Sequence, residues 1–141
     1  MIHDHRKIVF SAVLALLLAF SGLAAPAAFG DQGCSRSYDS LSAEELAHLR
    51  KLEEAYFLGI RTEAVKMVGS YFDTHTIVQT FTPQVRIIRQ RKRDELNEVL
   101  RYLCSLRLEQ EFITLYVNIL RDDAVDQALD AMLAKSRSYR R

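Results

Sequence analysis

The chain has no tryptophan, two prolines, five glycines and two cysteines in its 141 residues. Such sparse punctuation, alongside abundant Leu, Ala, Glu and Arg, is a helical composition. The two cysteines, Cys34 and Cys104, stand too far apart for a C-x-x-C redox pair. Four histidines in all, with His48 and His75 beyond the first thirty residues, form no H-x-x-x-H, no H-E-x-x-H and no Cys-His run. Zinc needs three or four ligands at set spacings, so no metal site is expected. The covalent haem motif C-x-x-C-H is missing, and no cofactor is implied.

Signatures of catalysis are missing as well. There is no G-x-S-x-G and no S-x-x-K, hence no nucleophile with a base and an orienter in view. The paired carboxylates Glu44/Glu45 and Asp122/Asp123 stand where helix starts explain them. Neighbours on a helix also diverge by about 100° and do not share a cleft. The sequence therefore points away from an enzyme.

The first thirty residues are different in kind. A short polar stretch ends in Arg6-Lys7, an apolar run follows from Ile8 to Leu23, and small residues cluster from Ala24 to Gly30. A charged start, an apolar centre and small residues at spacing two make a cleavable secretory signal. Ala28-Phe29-Gly30 places cleavage after Gly30, and Ala25-Pro26-Ala27 places it after Ala27. No charge falls between Lys7 and Asp31, so the alternative is a retained anchor, which needs roughly 20 apolar residues. Pro26 and the small-residue cluster favour cleavage. Asp31-Gln32-Gly33 before Cys34 lacks the aliphatic residue of a lipidation site, and no twin-Arg pair is present. The expected compartment is the periplasm or the exterior, reached by general secretion.

Three segments follow: a leader over 1–30, a strap over 31–41, and one helical domain over 42–141. Removing Arg6, Lys7 and Asp4 leaves equal numbers of acidic and basic side chains. A neutral total argues against nucleic acid, whose binding depends on accumulated positive charge. In an oxidising compartment Cys34 and Cys104 are expected to pair, pinning the strap to the domain. Closing a loop of that length stabilises by roughly 4 kcal/mol on the chain-entropy model.

Within the domain, Ser42 and Glu45 form a capping box, with Leu41 and Leu46 placed as a hydrophobic staple. A first helix runs toward Gly59, read as a C-terminal cap. Thr62 is read as opening a second helix, which carries Ala64, Met67, Val68, Tyr71 and Phe72 on one stripe. Residues 43 to about 73 thus read as a helical hairpin. Asp73 to Phe81, rich in Thr and β-branched residues, reads as a connector, and Thr82-Pro83 as a fresh helix start.

No Gly or Pro occurs beyond Pro83, yet the apolar stripe of Leu96, Val99, Leu100 and Leu103 gives way to one about half a turn away at Phe112, Leu115, Tyr116 and Ile119. A break near Leu108 to Glu111 accounts for this; the alternative is a straight helix that buries opposite faces against different neighbours. Asp122-Asp123 is read as starting the last helix, with a stripe at Val125, Ala128, Leu129, Met132 and Leu133. The fold class is all-α: four to five helices in an irregular bundle or stacked helical hairpins.

One internal echo stands out. Tyr56, Ile60-Arg61, Glu63 and Ala64-Val65 recur sixty residues later as Tyr116, Leu120-Arg121, Asp123 and Ala124-Val125. Each copy falls at an expected helical corner, as a duplicated hairpin would place it; chance together with shared corner chemistry is the competing and simpler explanation.

Arg86, Arg89, Arg91, Lys92 and Arg93 form the densest charge cluster, with no acid among them. It is the candidate interaction face, suited to an acidic partner or an anionic membrane surface; its competing explanation is a solvated helix face paired to Asp94, Glu95 and Glu98. Tyr56, Phe57, Tyr71, Phe72, Tyr102, Phe112 and Tyr116 are expected in the core, or around a pocket between helices. The expected function is that of an exported, non-catalytic interaction protein: an adaptor, an envelope-machine accessory or a toxin inhibitor whose partner is another envelope protein. The alternative is a helical carrier or sensor of a small apolar ligand. An internal apolar cavity of several hundred Å³ would favour the carrier, a contiguous exposed apolar patch or groove would favour the adaptor, and a structure with neither would count against both.

Overall fold

The computed structural model describes residues 36–141, which are all-helical apart from short connections. The leader, its cleavage sites and Cys34 lie outside the described residues. A 3-10 turn at Tyr38–Ser40 leads into four helices: α1 (Ala43–Lys66), α2 (Thr74–Arg91), α3 (Arg93–Ser105) and α4 (Gln110–Ser138).

The start of α1 is as the sequence implies. Ser42 Oγ accepts from the Glu45 amide at 3.1 Å, and Glu45 Oε1 accepts from the Ser42 amide at 2.9 Å. Glu45 has a second task. Both of its oxygens accept from Arg36, at 2.6 and 2.7 Å, so a single carboxylate caps α1 and holds the strap. The Arg36 guanidinium, then the Ser42 amide, draw the Glu45 carboxyl down to about 2. Just beyond Arg36, the Tyr38 ring lies 5.4 Å from that of Phe112 in α4.

The expected hairpin over 43–73 is not formed: α1 runs unbroken through Gly59 and Thr62. Thr62 Oγ1 donates to the Leu58 carbonyl at 2.7 Å, within the helix. Gly59 caps nothing; a Cβ there would come within 2.9 Å of the Lys92 side chain. A mid-helix glycine costs about 1 kcal/mol relative to alanine. Full burial of the adjacent Phe57 and Ile60, at about 1.5–3 kcal/mol per large apolar side chain, outweighs that cost.

The stretch expected as a connector is helical from Thr74 onward. Asp73 caps α2, accepting from the Thr76 amide at 2.8 Å, and this bond holds the Asp73 carboxyl below its ordinary value. Ile77, Val85 and Ile88 are buried, with Phe81 partly so between them. Burial along this stripe overrides the weak propensity of the β-branched residues, a few tenths of a kcal/mol each. Pro83 accordingly sits inside α2 rather than at its start. Pro83 and Gln79 are both exposed, so the carbonyl that loses its donor faces solvent.

No Gly or Pro marks the joint between α2 and α3. Lys92 alone forms it, ending one helix and preceding the next. Charge explains the position: Arg89 and Arg91 occupy the last turn of α2, while Asp94 and Glu95 occupy the first turn of α3, each sign where the helix dipole favours it.

The break foreseen near 108–111 is present, between Ser105 and Gln110. Arg107 adopts a left-handed backbone, φ 59°, in the position after the helix cap where glycine is usual. Its amide donates to the Cys104 carbonyl at 3.1 Å, and its own carbonyl accepts from the Arg36 amide at 3.1 Å.

The last helix does not begin at Asp122-Asp123; α4 is continuous over 29 residues. Its buried positions include Phe112, Tyr116, Leu120, Ala124, Ala128, Met132 and Ser136, every fourth residue. Four residues overshoot one turn by about 40°, so the buried line winds around α4 as it passes successive neighbours. Val125, Leu129 and Leu133 flank that line and are half-buried.

Cross-links from α1, and from the connection that follows it at Phe72, to α4 rise together along the sequence. Tyr116 Oη bonds the Glu53 carboxylate, Arg61 Nη1 donates to Gln127 Oε1 at 2.9 Å, and Ser136 Oγ donates to the Phe72 carbonyl at 2.6 Å. The two long helices are therefore parallel. Between them α2 returns from the end of α1 to the level of Gly59, and α3 continues back to its start, where Tyr102 stacks edge-on against His48 at 4.5 Å. The result is an irregular up–down–up bundle of three limbs, the middle one broken at Lys92. The internal echo falls in the middle of the two parallel helices, not at corners. Tyr56, Ile60 and Ala64 in α1, and Tyr116, Leu120 and Ala124 in α4, are all buried.

Because the folded Glu45 carboxyl lies below its unfolded value, its contribution is complete above about pH 4.5 and fades as pH falls toward 2. In urea titrations, the stability advantage of the wild type over Glu45→Gln should be largest above pH 5 and shrink steadily down to pH 2. An advantage that stays constant over that range would show that the pairing with Arg36 does not anchor the strap.

Candidate functional site

The break in the middle limb opens a groove of about 770 Å³. Its walls are Thr82, Val85, Arg86, Arg89 and Gln90 of α2, Arg93, Leu96, Asn97 and Leu100 of α3, and Val117 and Arg121 of α4, with Tyr56 of α1 at its floor. All four helices contribute. The volume falls in the range of small-molecule sites, roughly 300–1,000 Å³.

The elbow divides the basic cluster in two. Arg86, Arg89 and Arg93 line the groove, whereas Arg91 and Lys92 are engaged elsewhere. Arg91 Nη1 lies 3.2 Å from Glu63 Oε2 on α1. Lys92 Nζ lies 3.3 Å from Glu95 Oε1, and its stem packs over Gly59. The five residues expected to form one face are thus three groove residues and two structural ones. Successive helical positions differ by about 100°, and the change of axis at Lys92 separates them further. Arg121 completes the set from α4, a residue that the sequence had marked only as part of the echo.

Among the described residues, none of Arg86, Arg89, Arg93 and Arg121 forms an ion pair, and no acidic side chain lines the groove. Tyr56 reports the resulting field. Burial pushes its hydroxyl above the ordinary range, the nearby Arg89 and Arg121 charges pull the other way, and the Glu95 carboxylate adds to the rise. Tyr56, Val85, Leu96, Leu100 and Val117 form the apolar part of the lining. Leu96 and Leu100, one turn apart, are only partly buried against the core, consistent with their second role in the groove wall.

Other aromatic residues have other places. Phe57, Phe112 and Tyr116 are core, and Tyr71 is 80% exposed. Large exposed apolar side chains, namely Leu58, Val65, Tyr71, Val78, Ile87 and Tyr139, are distributed over α1, the α1–α2 connection, α2 and the end of α4. Among the described residues no three His, Cys, Asp or Glu side chains gather as metal ligands, and no helix is long and apolar enough to cross a membrane. Cys104 is exposed near the end of α3 and unpaired among the described residues.

No protein-family model matches the chain, and no curated protein or solved structure is significantly similar to it.

The division of the cluster has a measurable consequence. Lys92→Ala removes packing over Gly59 and the partner of Glu95, whose other oxygen is already buried without a hydrogen bond among the described residues. A loss of about 1–2 kcal/mol is expected, against less than about 0.5 kcal/mol for Arg93→Ala. Equal melting temperatures for the two variants would contradict the division.

Proposed function

We propose that this chain is an exported, non-catalytic binding protein that holds a small ligand in the groove between α2, α3 and α4. The observation that carries this reading is the groove itself: a concavity of about 770 Å³ with an apolar floor and unpaired arginines at its rim. The groove is open and lined by arginines, so it is not the internal apolar cavity expected of an apolar-ligand carrier; the ligand-binding reading rests on its small-molecule volume and on arginines that converge on one hollow rather than spreading over a flat face. Export rests on the leader sequence, and the periplasm or exterior is the proposed compartment.

The proposal includes a disulfide between Cys34 and Cys104. Its support is the docking of the strap beside α3: the Arg36 amide bonds the Arg107 carbonyl at 3.1 Å, and Arg36 bridges to Leu108. Two residues reach at most about 7 Å, and a disulfide needs Cα atoms about 4.4–6.8 Å apart. Cys104 lies one helical turn before Arg107. Non-reducing peptide mapping of the exported protein should recover Cys34 and Cys104 on one linked pair of peptides, and Cys104→Ser should lower stability by about 2–4 kcal/mol. Two free thiols in the exported protein would remove the tether from the proposal.

The binding role is tested by native mass spectrometry of the protein recovered from its own envelope. A small-molecule adduct is expected on the wild type and should be lost in the double variant Arg89→Glu, Arg121→Glu. Bare protein in both, together with crosslinks from the arginine face to one envelope protein, would replace the carrier by the adaptor.

A further inference from the structure

We infer that the ligand class is a phosphorylated amphiphile: a phosphate monoester or diphosphate head on an apolar tail. This deepens the proposed binding role and rests on it. Charge comes first. Four guanidinium groups from three helices surround the groove, and no acidic side chain lines it. A single carboxylate would neutralise one of them. A phosphate monoester carries nearly two negative charges near pH 7 and offers three acceptor oxygens, and planar guanidinium groups pair with phosphate oxygens two at a time.

The arrangement also separates head from tail. Arg89 of α2 and Arg121 of α4 line the groove together with Tyr56 of α1. The anionic head is therefore placed where α2 and α4 face each other above Tyr56. Leu96 and Leu100 of α3, with Val117 of α4, supply an apolar wall to the same groove. Thr82, Gln90 and Asn97 are its neutral polar members, able to donate to remaining oxygens. A free phosphate would leave that apolar wall wet, and an apolar molecule without charge would cover the half-buried Arg89 without pairing it.

The experiment is isothermal titration of the exported chain with single-chain probes below their micellar concentrations. The probes are dodecyl phosphate, dodecanoate, dodecyltrimethylammonium and inorganic phosphate, together with an acidic hexapeptide. Dodecyl phosphate should bind at least tenfold more tightly than dodecanoate, inorganic phosphate or the peptide, and the trimethylammonium probe should not bind. Arg89→Gln with Arg121→Gln should weaken dodecyl phosphate at least tenfold, whereas Arg91→Gln, outside the groove and exposed, should leave it unchanged. Leu100→Asn should weaken dodecyl phosphate without affecting inorganic phosphate.

Dodecanoate binding as tightly as dodecyl phosphate, or equal affinity in the arginine double variant, would overturn the phosphate assignment while leaving a ligand groove in place. Preference for the acidic peptide would overturn it in favour of a protein partner. Failure of every probe, charged or apolar, would overturn the groove as a binding site and the proposed function with it. Circular dichroism of each variant separates lost binding from lost folding.

Discussion

The structure depends on the side-by-side burial of two parallel helices. α1 and α4 each bury a tyrosine, an aliphatic residue and an alanine at spacing four, and the alanines permit close approach of the two backbones. Parallel helices cannot be joined by a short turn, so the chain must travel back the whole length of the bundle between them. α1 spans about 36 Å at 1.5 Å per residue. The return is made by α2 and α3, and the strap is then held at the starting end by Arg36, Glu45 and the Arg107 carbonyl.

That return limb carries both the elbow and the groove. The joint at Lys92 turns the limb aside, and the space it leaves is the arginine-lined groove. Lys92 itself is withdrawn from that space: its stem crosses Gly59 and its charge meets Glu95. The same short stretch of basic residues thus supplies the end charge of one helix, the contact that holds the elbow, and the cations of the groove.

Several features were legible in the sequence because they rest on contacts within a few residues. The capping box of Ser42 and Glu45 is one, and the break after Leu103 is another, visible as a displaced apolar stripe. Other features were misread for a shared reason. Gly59, Thr62, Pro83 and Asp122-Asp123 each carry a local signal for a helix end, and each lies inside a helix whose buried side chains continue on both sides. Local preferences amount to about 1 kcal/mol for glycine, and up to about 3 for proline. A few buried Ile, Leu or Phe side chains exceed that. The elbow at Lys92 had the opposite character: no breaker residue marks it, and its only sequence trace is the change from basic to acidic residues between Arg91 and Asp94.

The sequence by itself determined an all-α chain with few breakers, together with the apolar stripes from which a core is made. It also set a dense basic cluster without the motifs of an enzyme or a metal site. Only the tertiary structure decided which arginines converge, since Arg121 joins Arg86, Arg89 and Arg93 across a gap in sequence that no periodicity spans. It likewise decided that the echo at spacing sixty marks two parallel helices rather than two corners. The physical reason is the same in both cases. Helix formation and capping are settled by interactions a few residues apart, whereas the placing of one helix against another is settled by burial between segments the sequence keeps far apart.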